Sequence, residues 1–225
     1  MTMFHVKHTT VALLLINFHQ IGYSQAQVTI QDKPISIPVQ KIEWIQDDLL
    51  TDGHYKSLTR LERDFFYWVN HLRFSPSLFA KDIVVKYLEQ FPEMESSSSD
   101  DLLKELNGIE TLPLLVPDSK LSSVAKSHGM DLVKNGRSLS HTGSRGRDFA
   151  LRIRETGFLK CASENLYEGR AEALEALILL LIDHGVPGYG HRKAILKPYF
   201  GRMGCSVVQR PDNVSFVFVQ IFSCQ

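Results

Sequence analysis

Apolar residues recur at helical spacing through most of the chain beyond residue 58. The pattern predicts one amphipathic helix over residues 58–72, and Pro76 is placed to occupy the first turn of the next helix. Asp118 precedes a longer amphipathic segment, and Asn135-Gly136 ends it in the manner typical of helix termini. Further helical segments are predicted at residues 77–87, 100–106, 146–156, 171–182 and 191–196.

The end of the chain changes to the alternation typical of β-strands. Residues 203–209 and 214–222 are rich in Val and Phe, and a turn at 211–213 separates them, so we predict an antiparallel hairpin. Residues 214–222 are apolar on both alternating faces, which predicts that other elements cover this strand on both sides. Strands that come mostly after the helices favour an α+β fold over alternating βαβ units. The expected architecture is a three-layer α–β–α sandwich with a small, mainly antiparallel central sheet.

The first 26 residues have the pattern of a secretory signal peptide. Lys7 lies in a short basic region, the apolar run 11–18 follows, and small residues precede a cleavage point after Ala26. The apolar run is shorter than the roughly 20 residues that cross a bilayer, so no transmembrane segment is predicted. The alternative is a buried N-terminal strand or helix. We therefore expect a protein secreted to an extracellular or periplasmic location, with a signal peptide at 1–26, an irregular arm at 27–58 and one domain at 59–225.

Composition excludes several classes of protein. The 225 residues include 25 Lys and Arg and 25 Asp and Glu, so the formal net charge is zero and no nucleic-acid partner is expected from bulk charge. A hydrophobic content of 44% argues against a disordered chain. The three cysteines are too few for a disulfide-dense scaffold, and their odd number leaves at least one unpaired within the chain. Cys205 and Cys224 lie on the two predicted strands and are the first pair to suspect, while three buried free thiols are the alternative.

Three short strings place an imidazole or a carboxylate beside small or glycine residues. They are Ser-His-Thr-Gly around His141, Ser-Glu-Asn-Leu around Glu164, which is expected to lead into a helix near Gly169, and Gly-His-Arg around His191. Two imidazoles and a carboxylate could hold a divalent cation such as zinc, or could transfer protons near neutral pH. The alternative is structural: the two histidines are hydrogen-bonded loop residues, and Glu164 is an anion at a helix N-terminus.

Two nearby features are assigned other roles. His128 lies on the apolar face of its predicted helix, so we expect it to be a hydrogen-bonded core histidine. A local basic cluster follows the His141 string. It could meet an anion, but charges on a surface helix are usually solvated, and that is the role predicted for Arg145, Arg147, Arg152 and Arg154.

The order of these strings resembles the CAP superfamily of cysteine-rich secretory, antigen 5 and pathogenesis-related proteins. The resemblance begins at Asn-His-Leu-Arg (70–73) and continues through the three strings to the closing Val- and Phe-rich strand. The form Gly-His-Arg-Lys-Ala-Ile-Leu (190–196) is similar to the bacterial branch of SCP-like proteins. The resemblance covers residues 61–222 and implies a secreted protein with an α–β–α sandwich.

The resemblance also implies a surface cleft with a His/Glu/Glu/His set that binds a divalent cation in some relatives. His141, Glu164 and His191 match three members of that set. The second Glu has no clear match, and Asp183, with His184 beside it, is the nearest acidic candidate. The implied cleft therefore contains His141, Glu164, Asp183 and His191, with His141 and His191 as the candidate metal ligands and Glu164 in support.

Two classes of function follow. The first is a secreted ligand-binding or interaction module whose cleft takes a small molecule, a lipid or a peptide, because no nucleophile or known reaction motif occurs. The second is a metal-dependent, peptidase-like hydrolase in which Glu164 is the general base for water bound to a cation at His141 and His191. No HExxH pair is present, so a metal site would depend on tertiary geometry alone.

Overall fold

The computed structural model describes residues 33–157 and 161–224 of the chain. The predicted signal peptide lies outside these residues. Within the described ranges no helix is long and apolar enough to cross a membrane. The elements are α1 (Glu43–Leu49), α2 (Gly53–Ser57), α3 (Arg60–Phe74), α4 (Pro76–Phe79), a π-helical segment (Ala80–Val84), α5 (Val85–Gln90), a 3₁₀ turn (Pro92–Met94), α6 (Ser97–Gly108), β1 (Val116–Pro117), α7 (Ser119–Lys134), α8 (Phe149–Arg154), β2 (Ala162–Gly169), α9 (Ala173–Ile182), α10 (Gly190–Ile195), β3 (Phe200–Gln209) and β4 (Phe216–Cys224).

The four strands form one sheet in the order β1-β3-β4-β2. β3 and β4 are the predicted antiparallel hairpin, and their register runs from Gln209 opposite Phe216 to Phe200 opposite Cys224. β2 pairs antiparallel with the other side of β4, and the two-residue β1 pairs parallel with β3. β2 is therefore an edge strand of this sheet, which places its residues beside the loops that surround the sheet.

Helices cover both faces of the sheet, so the fold is the expected α–β–α sandwich. Val217, Val219 and Ile221 of β4 pack in one apolar cluster with residues of α7. Phe218 and Phe222 point to the opposite face and join a larger cluster built on α3 and α9. Alternating side chains of one strand thus fill two cores, which confirms the predicted burial of β4 on both faces.

Capping residues set the boundaries of the long helices. The Asp118 carboxylate accepts hydrogen bonds from two backbone N–H groups in the first turn of α7, and Gly136 ends that helix with a φ of +58°. The Thr59 hydroxyl and the Glu62 carboxylate form a reciprocal capping box at the start of α3. α6 begins after Ser96, earlier than expected, because Ser96 and not Asp100 provides its cap.

The predicted irregular arm is partly helical, which corrects the sequence interpretation. Both α1 and α2 lie between residues 27 and 58, and Ile45, Leu49 and Tyr55 are buried in the larger core cluster. Helices of seven and five residues are too short to show a hydrophobic period in the sequence, and tertiary packing is what stabilises them. The larger core therefore extends to the N-terminal side of residue 59.

The segment that contains Glu164 is a strand and does not lead into a helix near Gly169 as expected. β2 runs through that glycine, and a further helix, α9, begins only at Ala173. Polar residues occupy the first positions of β2, so its alternation is not visible as an apolar pattern. Pairing with β4 along its whole length stabilises the strand.

The disulfide bond joins Cys161 to Cys224, so the suspected Cys205–Cys224 pair is wrong, as is the alternative of three free thiols. Register explains the outcome: Cys205 lies opposite Gln220, whereas Cys224 lies opposite Phe200 at the far end of β3. Five positions along a strand correspond to about 16 Å, which is too far for a bridge. Cys161 directly precedes β2, and its carbonyl accepts a hydrogen bond from the Cys224 amide at 3.3 Å.

Candidate functional site

The four predicted cleft residues form two His–carboxylate pairs. Nδ1 of His141 lies 2.9 Å from Oε1 of Glu164, and Nδ1 of His191 lies 2.7 Å from Oδ1 of Asp183. Both carboxylates are almost completely buried, with side-chain exposures of 0% and 1%. The rings reach the surface, because the His141 side chain is 54% exposed and the His191 side chain is 23% exposed.

Edge strand β2 connects the two pairs. Glu164 points toward the α7 side of the sheet, where it meets His141, while the next residue, Asn165, points toward the other side. The Asn165 side chain donates one hydrogen bond to the His191 carbonyl at 3.1 Å and another to Gln220 Oε1 at 3.2 Å. Consecutive residues of one strand therefore hold both histidine segments, one on each side of the sheet.

Arg152 neutralises the buried Glu164. Its Nη2 lies 2.7 Å from both carboxylate oxygens, and its Nη1 donates to the carbonyls of His141 and Arg147 at 2.9 Å each. The prediction of a solvated arginine is therefore wrong for Arg152, whose side chain is 8% exposed. The sequence carried one unused signal, since residue 152 lies one turn into the helix that Asp148 caps and directly precedes Ile153, which is also buried.

His128 lies beneath the same carboxylate. Its Nε2 is 2.8 Å from the Ser140 carbonyl and 3.9 Å from Glu164 Oε1, which confirms the expected hydrogen-bonded core histidine. Burial lowers the pKa of His128, and the negative charge of Glu164 opposes that shift only in part. The neutral ring thus donates from Nε2 to the loop that carries His141.

Asp131 on α7 fixes that loop from the outside. Its carboxylate accepts hydrogen bonds from the Ser144 amide at 2.7 Å and from the Ser144 hydroxyl at 2.5 Å. These bonds lower the pKa of Asp131. Gly143 passes so close that a Cβ there would lie 2.9 Å from an Asp131 oxygen, so a larger residue would require the Asp131 side chain to shift. The loop is thus anchored on both sides of His141, at the Ser140 carbonyl and at Ser144.

Asp183 ends α9 in the left-handed conformation, with a φ of +52°. This turn brings its carboxylate to the start of α10, where Oδ2 accepts from the His191 amide at 2.9 Å and from the Arg192 amide at 3.3 Å. The neighbouring His184 is exposed and contributes to neither pair. Asp183 is therefore a hydrogen-bond partner of His191, a role that the sequence did not assign to it.

The buried Arg192 side chain connects the segments around His191 through hydrogen bonds. The side chain is 1% exposed, and it donates to the carbonyls of Leu181, Ile182 and Ser98 at 2.6, 3.0 and 2.7 Å. Its guanidinium also lies 4.0 Å from the centroid of the Tyr189 ring. These bonds tie α10 to α9 and α6, so the backbone that presents His191 has little freedom.

The sequence of this site matches a family model. The model of the cysteine-rich secretory protein family, CAP, matches residues 110–222, which is half of the chain. The chain belongs to the CAP family. The matched range contains both His–carboxylate pairs, Arg152 and the central sheet except the last two residues of β4. The membership confirms the resemblance seen in the sequence.

Several solved structures give distant matches to this CAP chain. An extracellular protein with an SCP domain from Bacillus anthracis is 26% identical, with a TM-score of 0.42 over 51% of this chain. The chain spans only 35% of that protein. An outer surface protein from Borrelia burgdorferi is 24% identical over 63% of this chain and 92% of its own, with a TM-score of 0.43. NaASP2, solved with Zn²⁺, is 14% identical over 73% of this chain and 80% of its own, with a TM-score of 0.42. No curated protein matches the chain.

The chemistry that this CAP site offers is that of two oriented imidazoles. A neutral ring whose Nδ1–H donates to a carboxylate has its lone pair on Nε2. Among the described residues, neither His141 nor His191 has a hydrogen-bond partner for Nε2. Each ring can therefore accept a hydrogen bond from a ligand, or donate one when it carries a proton.

The carboxylates are less available than the sequence suggested. Both oxygens of Glu164 are bound by Arg152, and both oxygens of Asp183 are bound by the His191 and Arg192 segment. In the part of the chain that the structure describes, no group of three or more His, Cys, Asp or Glu side chains is arranged to hold a metal ion. The donor set that faces outward consists of two imidazole nitrogens.

Proposed function

We propose that this CAP protein is exported and uses its two His–carboxylate pairs to bind a polar ligand, without catalytic turnover. Two features support export. The N-terminal pattern is that of a signal peptide, and the Cys161–Cys224 disulfide is typical of proteins that fold in oxidising compartments.

One observation carries the binding function. Each exposed ring has its Nδ1 fixed by a buried carboxylate, and the two segments are attached to consecutive residues of one edge strand. Groups that are oriented before binding lose little freedom when a ligand arrives, so this construction favours recognition. A fitting ligand presents two hydrogen-bonding groups. Hydroxyl and carboxylate groups of a small molecule meet this requirement, and so do the polar groups of a lipid headgroup or of a peptide terminus.

The hydrolase alternative needs a carboxylate that the site does not offer. A general base for a metal-bound water must reach that water, but the Glu164 side chain has no exposed surface and is paired with Arg152. Catalytic zinc sites normally use three protein ligands, whereas two imidazole nitrogens face outward here. We therefore infer that zinc binds at most weakly and that Glu164 and Asp183 orient the histidines.

The experiment follows the imidazole nitrogens directly. Protein labelled with ¹⁵N-histidine is titrated with a set of small hydroxy acids, with a mixed tripeptide library and with zinc chloride. We expect hydroxy acids or peptides to shift the His141 and His191 signals together, while exposed His184 serves as the internal control. The tripeptides are expected to remain uncleaved, and zinc to bind with millimolar affinity.

Two results would overturn this function. One is the absence of any shift at His141 and His191 with both the hydroxy acids and the peptides. The other is peptide cleavage, or micromolar zinc binding, that exceeds the background of the His141→Ala/His191→Ala variant. A His184→Ala protein, which changes an exposed histidine outside both pairs, is the matched control for loss of an imidazole.

A further inference from the structure

A polar cavity lies on the N-terminal side of the fold, apart from the His–carboxylate pairs. It has a volume of about 250 Å³ and is enclosed by the segment before α1, by α1 itself, by α2 and by the first turns of α3. It shares no residue with the His–carboxylate pairs. The residues that matter for its chemistry are Lys41, Tyr55, Arg60, Arg63, Asp64 and Tyr67.

The cavity concentrates positive charge, although the net charge of the whole chain is zero. Three cations line it, and Asp64 is the single carboxylate in its lining. Lys41 Nζ lies 2.9 Å from an Asp64 oxygen, and Arg60 Nε lies 3.7 Å from the other. Within this lining three cations face one carboxylate, a formal excess of +2, whereas the whole chain has a formal charge of zero.

Two of the cations are held in place before any ligand arrives. Arg63 donates through Nη1 to the Leu58 carbonyl at 2.7 Å and to the Lys56 carbonyl at 3.2 Å. Among the described residues, its Nε and Nη2 have no hydrogen-bond partner. Lys41 Nζ lies 5.0 Å from the centroid of the Tyr67 ring, and the hydroxyl of that tyrosine accepts a hydrogen bond from the Ile42 amide at 2.6 Å.

We propose that this cavity binds a phosphate dianion, either as free phosphate or as a phosphate monoester. A phosphate group carries close to two negative charges at neutral pH, which matches the formal excess of +2 among the lining residues. The free edge of the Arg63 guanidinium suits tetrahedral oxyanions, because its planar donors pair with two oxygens at once. Lys41 and Arg60 add point charges, and the two tyrosine side chains supply polar walls.

Calorimetry on the full chain at constant ionic strength tests the proposal with inorganic phosphate, phenyl phosphate and acetate. Lys41→Gln is expected to weaken phosphate binding about tenfold, the usual effect of one lost charge-assisted hydrogen bond. Arg60→Gln changes a side chain that is 91% exposed, so we expect this variant to fold normally. Its affinity for phosphate should also decrease. Asp64→Asn should strengthen binding several-fold, because it removes the repelling charge.

The control is Arg154→Gln, which deletes a positive charge from an exposed position on α8 and should leave the affinity unchanged. Tighter binding of phenyl phosphate than of inorganic phosphate would assign the cavity to monoesters, and equal binding would assign it to free phosphate. The proposal is overturned if neither phosphate compound gives saturable binding, if acetate binds equally well, or if Asp64→Asn weakens binding as the cation variants do.

Discussion

The Cys161–Cys224 disulfide allows a stability prediction with a worked magnitude. The bond closes a loop over a sequence separation of 63 residues, which contains all of β2, α9, α10 and β3. In the chain-entropy model, a cross-link over such a loop lowers the entropy of the unfolded chain by about 14 cal/mol/K, or about 4 kcal/mol at 25 °C. Native contacts on both sides of the bond remain when it is removed, so the loss arises mainly in the unfolded state.

The assay compares the wild type with a Cys161→Ser/Cys224→Ser variant by guanidinium unfolding at pH 7. We expect the free energy of unfolding to fall by about 4 kcal/mol and the melting temperature by about 10 °C. Reductant should destabilise the wild type by a similar amount and leave the double variant unchanged. A loss below about 1 kcal/mol, or a double variant that still responds to reductant, would refute the entropic argument.

The remaining predictions concern a thiol, a buried histidine and a close contact. Cys205 is fully buried and burial raises the pKa of its thiol, so Ellman's reagent should find no thiol in native, unreduced protein and one in the denatured protein. Burial lowers the pKa of His71 from its usual 6.5 to about 4, so its neutral form stabilises the fold above pH 6.5. That contribution, about 3 kcal/mol at most, should be lost as the pH falls from 6.5 to 4, and urea unfolding of a His71→Gln variant should show a flatter pH dependence. A Cβ at Gly204 would lie 2.2 Å from the Ser122 backbone nitrogen, so Gly204→Ala should lower the free energy of unfolding by roughly 3 kcal/mol. Gly53→Ala, where nothing lies within 4 Å, is the control and should have little effect; equal losses would contradict the contact argument.

Sequence patterns predicted the parts of the fold in which one surface of an element is uniformly apolar. α7 and the β3–β4 hairpin satisfy that condition, and their caps and turn lie where the residues indicated. α1, α2 and β2 do not satisfy it, because each depends on packing or pairing with residues distant in the chain. The disulfide was not predicted for the same reason. The pairing of β2 with β4 places Cys161 beside Cys224, and the sequence pattern did not indicate a strand at β2.

For the site, the sequence indicated which residues take part but not all of the contacts that they make. The short strings identified His141, Glu164 and His191, the family resemblance added Asp183, and the structure pairs each histidine with one carboxylate. What spacing could not show is that Arg152 occupies the Glu164 carboxylate, because residues 152 and 164 meet only after α8 packs beside β2. This single contact occupies both oxygens of the carboxylate that the hydrolase alternative needs as its general base.

The arginines of the family strings have a role separate from ligand chemistry. Arg73 is fully buried and donates to the carbonyls of Pro113, Ile195, Lys197 and Phe200 at 2.8 to 3.0 Å, with no carboxylate among these partners. Burial lowers its pKa to about 10, so it remains charged at neutral pH. Its carbonyl partners surround the end of α10, while Arg192 holds the start of that helix. Two buried cations thus fix both ends of the short segment that presents His191, and this explains how a six-residue helix can hold a ring in a defined orientation.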